Sequence, residues 1–154
     1  MKAQVPKKKI LLVCGGNTCR SPMAKVILEQ KLSAIDSGDS FEIDSAAYDG
    51  PTHQAASSNA RQAIKKLYKQ DLLAPHFAKK LTPELADWAD VILVMGARMK
   101  KGLSPGKTWT MMEYAGSSGD VADPFGGGLD TYLKCARQIS DALDKILSKL
   151  TRTG

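Results

Sequence analysis

The side chains able to do chemistry are concentrated in Cys14-Gly15-Gly16-Asn17-Thr18-Cys19-Arg20-Ser21-Pro22. Two glycines let the backbone fold tightly, so that successive N–H groups point into one hollow. A hollow of that kind at the start of a helix is an anion cradle sized for a tetrahedral oxyanion. Cys14 opens it and Arg20 closes it, in the spacing C-x5-R. A cysteine facing several N–H donors and a guanidinium is expected as thiolate, a strong nucleophile. The Arg20 fork can hold two phosphoryl oxygens at once, which a lysine cannot. The Ser21 hydroxyl can donate to the sulfur and help it leave in a second step. Asn17 tolerates a left-handed backbone, and its side chain can brace the loop.

Phosphoryl transfer to and from such a cysteine also needs an acid for the leaving group. Asp123-Pro124-Phe125 lies in a glycine-rich segment far downstream, and Pro124 stiffens that segment around Asp123. Asp123 is therefore the general-acid candidate, with Asp120 as its local rival.

The elements that must position these groups follow from periodicity. Lys9 to Val13 reads as a buried strand ending at Cys14. Ser21 to about Ala34 reads as a helix, with Ser21 as cap and Pro22 in the first turn. Phe41 to Ala46 alternates like a strand. His53 to Lys69 reads as a helix with Ala56, Ala60, Ile64 and Leu67 on its apolar face. Thr82-Pro83-Glu84 starts a short helix whose Leu85 and Trp88 face inward. Val91 to Met95 is the continuous apolar run of a strand covered on both faces. Thr108 to Met111 is a weaker fourth strand, and Gly116 to Gly128 a loop. Leu129 to Leu150 is a long helix with an apolar stripe of Tyr132, Ala136, Ile139, Leu143, Ile146 and Leu150. Strands alternating with helices imply an α/β fold: a three-layer, four-stranded parallel sheet flanked by helices, with the phosphate-binding loop after strand 1. One domain over 1–154 is expected.

The pattern C-x-G-N-x-C-R-S-P with a downstream Asp123-Pro124 resembles the low-molecular-weight protein tyrosine phosphatase family over nearly the whole chain. The resemblance implies a covalent phosphocysteine at Cys14, Arg20 as phosphate clamp, and Asp123 as acid and then as base for water. It implies that Gly15, Gly16, Asn17, Thr18, Cys19, Ser21 and Phe125 bind substrate, and that Asn17, Ser21, Ser45 and His76 brace the loop. It implies no cofactor and no metal. Two details look more like the bacterial protein arginine phosphatase branch. Thr18 stands where tyrosine phosphatases of the family usually carry an aliphatic residue. Phe125 is followed by Gly126-Gly127, where they usually put a second aromatic. A phenyl ring gains from aromatic walls on both sides. A guanidinium wants a carboxylate, here Asp123, and one aromatic face, here Phe125. Lys25 and Ala47 depart from the family, which usually has an acidic residue and a glycine there. Both lie outside the cradle.

Other readings meet obstacles in the sequence. Arsenate reductases of this fold need a mid-chain cysteine pair, and residues 20 to 134 contain no cysteine. A non-catalytic phospho-binding module would be expected to lose the nucleophile or the acid, and Cys14, Arg20 and Asp123 are all present. Phosphotyrosine remains the alternative substrate to phosphoarginine. The cysteine next to the nucleophile, Cys19, is a candidate redox partner for it.

The 154 residues are 43% apolar and 25% charged, with a net charge of +6. No apolar run approaches the ~20 residues of a membrane span. The apolar stretch Ile10 to Val13 is too short for a signal peptide. Three cysteines are too few for a disulfide scaffold and fit the cytoplasm. The lysines do not interleave with aromatics, so nucleic acid is not an expected partner. Nothing demands a second chain, and a monomer is the default expectation.

Overall fold

The computed structural model describes residues 6–152. The basic start of the chain, Met1 to Val5, and the last residues of the expected 1–154 domain lie outside them.

Four strands form one parallel sheet: β1 (Lys8–Cys14), β2 (Phe41–Ala47), β3 (Val91–Val94) and β4 (Thr108–Thr110). Their spatial order is β2-β1-β3-β4. The chain leaves β1 toward β2 on one side, then crosses back to β3 on the other. The crevice at the carboxyl end of β1 is thus the switch point where ligands of such sheets bind. Cys14 sits at that end, in register with Ala47 of β2.

Ile10 to Val13 and Val91 to Val94 are all buried, as both inner strands must be when each face of the sheet is covered. The helices are α1 (Arg20–Ala34), α2 (Ser58–Tyr68), α3 (Pro83–Trp88), the single turn α4 (Met111–Tyr114) and α5 (Leu129–Arg152). α1 lies against β1 and β2 and packs on α5, which also holds α2. The expected α5 stripe is buried in full, from Tyr132 to Leu150. No described helix is long and apolar enough to cross a membrane.

Three boundaries differ from expectation for reasons their side chains or caps show, and several others shift by one or two residues. α1 begins at Arg20, with Cys19 at the cap position and no side-chain cap bond. Ser21 does not cap, because its hydroxyl is turned into the cradle. α2 begins at Ser58 rather than at His53. His53 takes a left-handed φ of 67°, and its N–H donates to the Ala78 carbonyl. Ser57 caps the helix instead, accepting the Ala60 N–H. Ala60, Ala63 and Ile64 form the buried face, which leaves Leu67 37% exposed. Met111, expected in β4, starts α4, because Thr110 and Glu113 form a reciprocal capping box. At α3 the Thr82 cap and Pro83 in the first turn are as expected, and Leu85 and Trp88 pack partly buried on the core.

Candidate active site

β1 delivers Cys14 to the floor of the crevice, where it is only 2% exposed. The following backbone curls around its sulfur. Asn17 adopts a left-handed φ of 55°, and its N–H then points back to Cys14 Sγ at 3.3 Å. Ser21 Oγ lies 3.0 Å from the same sulfur. Asn17 Nδ2 donates to Ser21 Oγ at 2.8 Å, so the serine's own hydrogen is free to donate to Cys14 Sγ.

Asn17 is wholly buried and fully engaged. Its Nδ2 also donates to Ser45 Oγ at 3.0 Å, and its Oδ1 accepts the Lys79 N–H at 3.1 Å. Its carbonyl lies 2.7 Å from His76 Nε2. A carbonyl only accepts, so Nε2 carries the hydrogen. Burial pushes the His76 pKa down, which favours that neutral form. The structure therefore brings Asn17, Ser21, Ser45 and His76 together as a brace behind the loop.

Arg20, in the first turn of α1, is 8% exposed. Its Nη1 donates to the Val121 carbonyl at 2.9 Å, and its Nη2 lies 3.7 Å from Asp123 Oδ2. The Val121 N–H in turn donates to the Met95 carbonyl just after β3, which moors the downstream loop to the sheet. Asp123 projects from that loop, with its side chain 58% exposed, and its Oδ1 accepts the Phe125 N–H at 3.0 Å across Pro124. Asp120 is differently occupied. Its Oδ1 accepts the Ala97 N–H at 3.0 Å, and it lies against Gly96. Of the two acids, Asp123 is the one beside the arginine.

The mouth of the site is a groove lined by Thr18, Ala55, Asn59, Phe125 and Gly126. Phe125 is 81% exposed, and Gly126 follows it with a left-handed φ of 86°. Tyr132 reaches the groove from α5 but is buried. Its hydroxyl lies 3.5 Å from Cys19 Sγ, which also donates to Ser57 Oγ at 3.4 Å. Burial and the Cys19 contact push the Tyr132 phenol up to about 12. Cys135 is core, with its thiol pushed up to about 12 by burial. Gly15 stands against Asp49 and Arg98, and Gly50 lies over the Gly16 Cα.

A protein-family model described as low molecular weight phosphotyrosine protein phosphatase matches residues 9–154. The chain belongs to that family. Its relatives within the phosphatase family fall on both sides of the substrate question. A protein-arginine-phosphatase of Bacillus subtilis is 35% identical, over 93% of this chain and 94% of its own. The solved YwlE arginine phosphatase from Geobacillus stearothermophilus is 33% identical with a TM-score of 0.83, covering 95% of this chain and 94% of that one. The low molecular weight protein tyrosine phosphatase from T. tengcongensis is 38% identical with a TM-score of 0.87, over 93% of this chain and 99% of that one.

Sequence reasoning missed several parts of this phosphatase site. An Asp49–Arg98 ion pair stands against Gly15. The Val121 carbonyl aims Arg20, and Ser57 with Tyr132 holds Cys19. Backbone groups carry no residue-type signal, and Asp49 and Arg98 are brought together only by the ends of β2 and β3.

Proposed function

We propose that the chain is a cysteine-dependent protein phosphatase that hydrolyses phosphoarginine in proteins through a phosphocysteine intermediate. The observation that carries the chemistry is the convergence on one hollow of Cys14, the Asn17 N–H, the Ser21 hydroxyl and the Arg20–Asp123 contact. The phosphoryl group enters with its oxygens on the loop N–H groups and the Arg20 fork. Cys14 Sγ attacks phosphorus, and an S–P bond forms as the N–P bond to the guanidino group breaks. Asp123 gives its proton to the leaving nitrogen. It then takes a proton from water, whose oxygen attacks phosphorus and expels the thiolate. Ser21 donates to the departing sulfur, and the protein with its unmodified arginine side chain and inorganic phosphate are the products.

The substrate assignment rests on the mouth. One exposed ring, Phe125, borders it, and Gly126 provides no second wall. Thr18 narrows the rim with a branched, polar side chain. A phosphoguanidinium is slim and carries N–H groups that can donate to Asp123, whereas a phosphotyrosine ring offers no such donor. With the Asp123 side chain 58% exposed, such a contact is worth up to about 1 kcal/mol, a preference of roughly fivefold. The three free cysteines suit a reducing compartment such as the cytoplasm.

A second reading, phosphotyrosine hydrolysis by the same cradle, is favoured by the 38% identity to the T. tengcongensis enzyme. The deciding experiment measures kcat/KM side by side on phosphoarginine and phosphotyrosine peptides of one sequence. A higher value on phosphoarginine is expected, and a preference for phosphotyrosine overturns the assignment.

A further inference from the structure

Phosphoryl transfer at Cys14 makes no use of the ion pair at the rim of the cradle. Asp49 follows β2, and Arg98 lies in the turn after β3. Arg98 Nη1 is 3.0 Å from Asp49 Oδ2. Both residues touch the loop that holds the nucleophile. The Asp49 N–H donates to the Gly15 carbonyl at 3.0 Å. Arg98 Nη2 lies 3.3 Å from where a Cβ on Gly15 would stand, so the glycine makes room for the guanidinium. The Tyr48 ring, 5.7 Å from the guanidinium carbon, backs the side chain.

Exposure decides what this pair is for. Both side chains are 59% exposed, and an ion pair that open contributes little to stability. The guanidinium can therefore leave Asp49 for another carboxylate at almost no loss. The phosphoryl group does not need it, since Arg20 and the loop N–H groups already surround the sulfur. When a phosphorylated side chain enters the cradle, its neighbours in the substrate chain must pass over the rim. Lys100, close by in sequence, is already paired with Glu113.

We propose that Arg98, poised by Asp49 against Gly15, is a specificity-determining residue that selects protein substrates carrying an acidic side chain near the phosphorylated residue. The arriving carboxylate displaces Asp49 and takes the same bidentate fork. Asp49 sets the threshold, because it competes for Arg98 and attracts basic neighbours once Arg98 is removed. The inference rests on the phosphatase reading but not on which phosphorylated residue is cleaved.

The test uses two phosphoarginine peptides that differ only in a Glu or a Lys beside the phosphorylated residue. Each kcat/KM is referenced to that of para-nitrophenyl phosphate with the same variant, so that a general change in the cradle cancels. The full-length protein should favour the Glu peptide by about fivefold, the scale of an exposed charge contact. Arg98→Ala should bring the ratio to about one or below. Asp49→Asn should raise it above that of the unaltered protein. Salt of about 0.5 M should shrink it. A ratio of one in the unaltered protein, or an undiminished ratio in Arg98→Ala, overturns the inference. The second outcome would assign the preference to the protein's net positive charge. If only phosphotyrosine peptides are cleaved, the same pair made with phosphotyrosine carries the test, and the phosphoarginine assignment alone fails. No turnover of either class overturns the phosphatase reading and this inference with it.

Discussion

Replacing Asn17 by Ala separates the two things this residue does, since alanine removes the side-chain bonds and keeps the left-handed backbone. Three bonds vanish: Nδ2 to Ser21 Oγ at 2.8 Å, Nδ2 to Ser45 Oγ at 3.0 Å, and Lys79 N–H to Oδ1 at 3.1 Å. At about 1 kcal/mol each they amount to about 3 kcal/mol, and a site this buried adds the penalty of leaving partners unsatisfied. An alanine held at φ 55° costs about 1 kcal/mol more than a glycine there. The three bonds and their unsatisfied partners together put the expected loss for Asn17→Ala at about 4–5 kcal/mol, a large share of a typical domain's stability. Asn17→Gly should recover about 1 kcal/mol of it. Urea unfolding at neutral pH reads both values. The N–H that reaches Cys14 Sγ should also lose its aim, lowering kcat on the order of 10²-fold in both variants. Stability within about 1 kcal/mol of the unaltered protein, with kcat unchanged, would refute the bracing argument. A glycine variant no more stable than the alanine variant would refute only the backbone part.

Asp123→Asn should slow turnover of a phosphopeptide by ~10²–10⁴-fold, with a smaller loss on substrates with good leaving groups. The amide can still accept the Phe125 N–H, so the loop should keep its shape; Asp120→Asn, measured alongside, should lower the rate far less. Burial holds His76 below its ordinary value, so the unfolded chain binds more protons than the native one as the solution is acidified. The His76 contribution is thus fully present above about pH 6.5 and is lost as pH falls through that value toward the depressed native one. Glu29, raised by burial, acts in the opposite sense at lower pH. Urea midpoints between pH 8 and 5 should fall more steeply for the unaltered protein than for His76→Asn, and equal slopes would contradict the neutral-histidine assignment. Thr18→Ile should shift the kcat/KM ratio toward phosphotyrosine by about tenfold, and an unmoved ratio would remove Thr18 from substrate selection. Peroxide should inactivate the enzyme reversibly through a Cys14–Cys19 disulfide, for which Cys19 must leave Ser57 and Tyr132. Cys19→Ser should then recover less activity with thiol, and equal recovery would exclude that role.

The cradle was legible because it is local. Nine consecutive residues determine where the backbone turns, which N–H groups face inward and where the cysteine and arginine stand. Asn17 tolerates the left-handed turn by its own chemistry, whatever surrounds it. The apolar run of β3 and the stripe of α5 were legible for a similar reason, since each records its own burial along the chain. Ser21 marks where this stops. A serine before a proline reads as a helix cap, but here the hydroxyl is taken by Cys14 and Asn17. In the sequence the neighbouring Pro124 favours Asp123 over Asp120, but each accepts one backbone N–H, and only the fold shows that Asp123 stands beside Arg20 and Asp120 against Gly96. Asn17's further partners, Ser45, His76 and Lys79, are 28, 59 and 62 residues away. No periodicity encodes such meetings, nor that of Asp49 with Arg98. By itself the sequence determined the nucleophile's loop, the element types and the inventory of acids. The tertiary structure decided which acid meets the arginine, what braces the loop and what stands at its rim. Those choices depend on the strand order β2-β1-β3-β4, which brings together chain ends that local preferences cannot pair.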